Sequence, residues 1–95
     1  MMNRDVRRYV FKASIPAPEI ENTLLLAIVA AEGLHGQSRV RLDAAYSFDA
    51  DKHAAVIDVG SEVGLDVCRM FTGFAIKEFG AGSFSVSHAE AGPSR

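Results

Sequence analysis

The chain has 95 residues, ten basic side chains against twelve acidic ones, and a hydrophobic fraction of 48%. That length suits a single domain over 1–95, and the apolar fraction allows a packed core and argues against intrinsic disorder. The lone cysteine, Cys68, excludes an internal disulfide framework and a Cys-rich zinc module, and the net charge of −2 argues against a polyanion-binding surface.

The first twelve residues carry Arg4, Arg7, Arg8 and Lys12 against Asp5. The rest of the chain adds no basic surface, so this stretch reads as a solubilising start, not a nucleic-acid arm. No secretory leader is legible there. The longest apolar run, 24–31, is far short of the roughly 20 residues that cross a bilayer. A soluble, cytoplasmic, bacterial-type protein is expected.

Residues 7–15 alternate, with Tyr9, Phe11, Ala13 and Ile15 on one side, which predicts a strand with one buried face. Pro16 and Pro18 end it, and a helix follows over 18–32 with Gly33 as its C-cap. Residues 38–49 alternate again through Val40, Leu42, Ala44, Tyr46 and Phe48. A polar turn at 49–52 leads to a third strand over 54–60, so the two strands read as a hairpin. Ser61 is a good N-cap for a second helix ending at Gly80. A short last strand spans 83–88, and 89–95 is expected to be a flexible tail beyond an ordered core of about 6–88.

The order β-α-β-β-α-β predicts an α+β sandwich of ferredoxin-like type. Its four-stranded antiparallel sheet would carry both helices on one face, with the first and third strands central.

The helices hold more apolar surface than one core needs. The first has a core stripe of Ile20, Leu24, Ala27, Ile28, Ala31 and Leu34. Its opposite side holds Leu25, Leu26, Val29 and Ala30, flanked by Glu21 and Glu32. The second centres Val67, Cys68, Phe71 and Ala75 on the sheet, and its apolar arc is wider than one sheet contact requires. A helix apolar on all sides is normally covered. Leu25, Leu26, Val29 and Ala30 are therefore the expected interface of a homo-oligomer, a dimer by default. The alternative is that the hairpin or the tail folds over them.

Chemistry is thin. His35, His53 and His88 lack metal-ligand spacing, so no metal and no cofactor are expected. Cys68 reads as a small core hydrophobe. The run from Gly60 to Gly64 is no phosphate loop, although Gly64, like Gly73, reads as a site of close helix packing. Tyr9, Phe11, Tyr46 and Phe48 share the core side, which leaves no aromatic platform for RNA. The remaining binding candidates are Lys12, Arg41, Asp43 and Asp58 on the open sheet face. A hairpin register placing Asp43 opposite Asp58 would make a carboxylate pair fit for acid/base work. A slip of two would place Arg41 there, as a cross-strand salt bridge, which is the favoured reading.

In length and element order the chain resembles acylphosphatases and the dimeric α/β-barrel monooxygenases. The Gly-rich phosphate loop with its Arg, and the downstream Asn, that mark acylphosphatases have no counterpart here, and no residue role carries over. The expectation is a small non-enzymatic protein that acts as a homo-oligomer in assembly or partner binding. The alternative is a small-molecule-binding or enzymatic dimer, its cavity on the open sheet face or between subunits. Neither membrane nor nucleic acid is expected as a partner.

Overall fold

A computed structural model describes residues 5–90. The elements are β1 (Asp5–Phe11), α1 (Ala17–His35), α2 (Gln37–Asp43), β2 (Tyr46–Asp49), β3 (Ala54–Asp58), α3 (Glu62–Phe79), a 3-10 turn (Ala81–Ser83) and β4 (Phe84–Glu90). The fold is α+β: one four-stranded sheet in the order β2-β3-β1-β4, antiparallel throughout, with three helices. β1 and β3 are the central strands, as expected.

Alternation along β1 turns Tyr9 and Phe11 to the side where Ala55 and Ile57 of β3 also point. α1 packs beside α3 and closes this side with Ile20, Leu24, Ala27, Ile28 and Ala31. α3 adds Val63, Val67, Cys68, Phe71 and Ala75. Phe71 meets Tyr9 edge-on, ring centroids 4.8 Å apart, and Phe84 stacks on Phe11 at 5.0 Å. Ser61 caps α3 as expected: its Oγ accepts from the Gly64 N–H at 2.9 Å. Gly80, at φ 90°, ends that helix.

Four expectations are corrected. β1 stops at Phe11, not at residue 15, because the Ile15 N–H turns back to the Lys12 carbonyl; Ala13 is consequently exposed. α1 runs through Gly33 to His35 and breaks at Gly36, whose φ of 88° is the left-handed conformation. The extra turn leaves Leu34 65% exposed instead of in the core. Residues 37–43 form a helix, so the second strand keeps only Tyr46–Asp49 of the expected 38–49. In α2 only Val40 is buried, and Leu42 is 83% exposed. Finally, β4 continues through Ala89 and Glu90, which were expected in the tail. The remainder of that tail, 91–95, and Arg4 of the basic start lie outside the described residues.

The hairpin turn is longer than either expected register requires. Asp49 pairs with Ala54, so residues 50–53 form the loop. Asp49 Oδ1 accepts the N–H groups of Asp51 and Lys52, and His53 closes the turn at φ 50°. With this register the residue facing Asp58 is Ala45, whose carbonyl accepts the Asp58 N–H at 2.9 Å.

Candidate functional site

The outer face of α1 is apolar and largely exposed among the described residues. Its spacing follows from the helix period: once Leu24, Ala27, Ile28 and Ala31 face the sheet, Leu25, Leu26 and Val29 must face away. Leu25 is 44% exposed, Leu26 56% and Val29 59%. Ala30 is half-buried on the same helix. Glu21 is exposed at one end and Glu32 half-buried at the other. The face continues into the seam with α3, a shallow cleft of about 230 Å³ between Thr23 and Leu26 on one side and Phe74, Lys77 and Glu78 on the other.

The polar candidates do not converge. Lys12 lies just past the end of β1, beside the hairpin loop, whereas Asp58 faces Val6 near the start of that strand. Six residues of strand, about 20 Å, separate those two positions. Arg41 and Asp43 sit on α2, not on the sheet, so neither can stand opposite Asp58. Asp43 bonds Arg39 within its helix at 3.4 Å, and its carbonyl accepts from Ser61 Oγ. Asp58 Oδ1 accepts the Gly60 N–H at 2.8 Å, a turn bond at the entrance to α3. Arg41 instead lines a groove of about 330 Å³ with Ile28, Glu32, Val40, Ala44 and Tyr46.

The structure also builds polar contacts that the sequence reading missed. The buried Tyr9 hydroxyl lies 2.9 Å from Cys68 Sγ and 2.6 Å from Thr72 Oγ1, and donates to the Cys68 carbonyl at 3.3 Å. Burial pushes the Tyr9 phenol far above its ordinary range, reinforced by Cys68. Each of two histidines holds an aspartate. His35 Nε2 is 2.8 Å from Asp66 Oδ2, joining the end of α1 to α3, and His88 Nε2 is 2.5 Å from Asp5 Oδ1 across the β1–β4 pair. The hydrogen bond from His35 holds the Asp66 carboxyl below its usual value, and that from His88 does the same for Asp5. Each pair ties two elements together, α1 to α3 and β1 to β4, so both read as clamps. Two signals bear on the first two contacts: a tyrosine on the core side needs a partner for its hydroxyl, and His35 stands at a helix end; nothing local signals the pairing of His88 with Asp5.

Across the central strands the face away from the helices carries Val6, Arg8, Val10, Ala54, Val56 and Asp58, of which Val6 and Ala54 are buried. It is more apolar than expected, and Arg8 is the one cation aligned on it among the described residues of the central strands. No described helix is long and apolar enough to cross a membrane. In comparisons with known proteins, no family model and no curated protein matches the chain.

Proposed function

We propose that this chain is a small non-enzymatic α+β protein that works as a homo-oligomer, its copies meeting through the outer face of α1, in assembly or in binding a partner. We also read its architecture as ferredoxin-like. From the β4 edge the strand order is β4-β1-β3-β2, and α2 is then an insertion between α1 and β2.

One observation carries the functional reading. Leu25, Leu26 and Val29 stand 44–59% exposed in a row with no charge between Glu21 and Glu32. Water-facing helix surface is normally polar, and a contiguous apolar patch with a charged rim marks an interaction surface. A stable interface needs about 800 Å² from each partner, more than a few side chains of one helix supply. The α1–α3 seam at Leu26 and Phe74 extends the patch toward that size, and Lys77 gives the rim both charge signs.

Sedimentation velocity on the full chain at micromolar concentration tests this. A species larger than the monomer is expected, and its mass should fall in the Leu26→Glu, Val29→Glu double variant while the far-UV circular dichroism holds. A strictly monomeric wild type, or a mass that ignores both substitutions, overturns the reading.

A second reading, a small-molecule-binding or enzymatic dimer, is favoured by the groove that Arg41 and Glu32 line together with Ile28, Val40 and Ala44. Its volume of about 330 Å³ is at the lower end for ligand sites. A ligand there should be lost on Arg41→Ala without any change in mass.

A further inference from the structure

We propose that the outer edge of β4 is a second association surface, which takes β4 of another copy of this chain in an antiparallel pair centred on Val86. The direction of the backbone groups is fixed by the neighbouring strands. The Lys12 N–H donates to the Ser83 carbonyl at 2.9 Å, and the register then runs one-for-one from Phe11↔Phe84 to Asp5↔Glu90. Alternation therefore turns the main chain of Ser83, Ser85 and Ser87 to β1, and that of Phe84, Val86 and His88 outward. β1 agrees, since its Phe11 N–H goes to His53 on the β3 side. Among the described residues nothing pairs with the outward groups, because β4 ends the sheet.

Natural sheets blunt such an edge with short strands, Lys, Pro or bulges. The other edge, β2, has four residues, whereas β4 has seven, its ladder to β1 has no bulge, and 84–88 contains no Pro, Lys or Arg. The edge is also self-complementary. About Val86, each outward residue of one copy meets an outward residue of the other: Phe84 faces the partner's His88, and Val86 faces the partner's Val86. Each pair can exchange both its main-chain bonds. Val86, 45% exposed, is covered. On the opposite side Ser85 falls across from the partner's Ser87, where hydroxyls pair and no like charges meet. Sheet augmentation by a strand is an established mode of recognition, and the two-fold register selects a second copy as the strand.

This surface is independent of the α1 face, and the test separates them. In the Leu26→Glu, Val29→Glu background, sedimentation velocity should still show a dimer at tens of micromolar. Val86→Pro should halve its mass with the far-UV spectrum kept, because the N–H it removes is not used by the β1 ladder. Val86→Lys, which sets like charges face to face at the two-fold, should do the same and guards against a folding cost of the proline. In a Cys68→Ser chain, Val86→Cys should form an intermolecular disulfide on mild oxidation, since directly opposed residues of a hydrogen-bonded pair lie about 5.5 Å apart at Cα. A background chain already monomeric, or a dimer that survives both Val86→Pro and Val86→Lys, overturns the proposal. The α1 reading is judged separately, by the response of the wild type to the Leu26→Glu, Val29→Glu pair.

Discussion

Gly64 and Gly73 lie on the same helix, α3, and an unassisted helix is better off without either, since glycine costs more backbone entropy than alanine. Their surroundings differ. A Cβ on Gly64 would run into the carbonyl oxygen of Asp58 and lie 3.2 Å from Ser61 Oγ, so the first turn of α3 could not sit on the end of β3. A Cβ on Gly73 would meet nothing within 4 Å. The two glycines look alike in the sequence, where both suggest close packing, and only Gly64 has that role. Gly64→Ala should cost about 2–3 kcal/mol, because backbone must move against backbone. Gly73→Ala should gain roughly 0.5–1 kcal/mol. Urea denaturation of the two variants decides it: shifts of the same sign would refute the assignment. The Tyr9 contacts with Cys68 and Thr72 were hidden for a similar reason. They join residues more than fifty positions apart, and helical spacing placed Cys68 on the core side without saying which hydroxyl would meet it.

At the scale of elements, what was legible depended on how many signals agreed. α3 carries an N-cap serine, a long apolar arc and a terminal glycine, and its bounds were read almost to the residue. Residues 37–43 carry only Val40, Leu42 and the following Ala44. Those three alternate, but Val40 and Ala44 are also four apart and fit one face of a helix. Packing decided for the helix: Val40 is buried against the core, and Arg39 bonds both Asp43 and Glu62. The join between α1 and α3 has a measurable consequence. Asp66, bonded by His35, keeps its carboxyl below the usual 3.8, and so does Asp5, bonded by His88. As pH falls, the unfolded chain therefore takes up protons before the folded one, so these carboxylates stabilise the fold above that value and the benefit is lost below about pH 4. Urea midpoints followed from about pH 6 to pH 2 should fall more steeply in the wild type than in Asp66→Asn, which starts lower at neutral pH and loses less. Parallel curves would mean the His35 contact holds no weight in solution.

For the whole molecule, the apolar surplus was legible and the polar constellation was not. Leu25, Leu26 and Val29 follow from the helix period, which local sequence dictates. The grouping of Lys12, Arg41, Asp43 and Asp58 depended on a strand that became α2 and on a hairpin register set by the four-residue loop at 50–53. That contrast shifts the weight of a functional reading from side-chain chemistry to surface, and surface association has a thermodynamic signature. If copies that associate through α1 or β4 must separate to unfold, mass action makes the melting temperature depend on protein concentration. For chains of this size a tenfold rise in concentration should lift the Tm of a dimer by roughly 3 °C, from the unfolding entropy of two chains. The dependence should weaken in the Leu26→Glu, Val29→Glu variant and vanish when Val86→Lys is added, although the helices and sheet remain folded at low temperature. Calorimetry between about 1 and 100 μM supplies the test. A wild-type Tm flat across that range would show that the exposed apolar row on α1 and the open edge of β4 are tolerated by a protein that stays single.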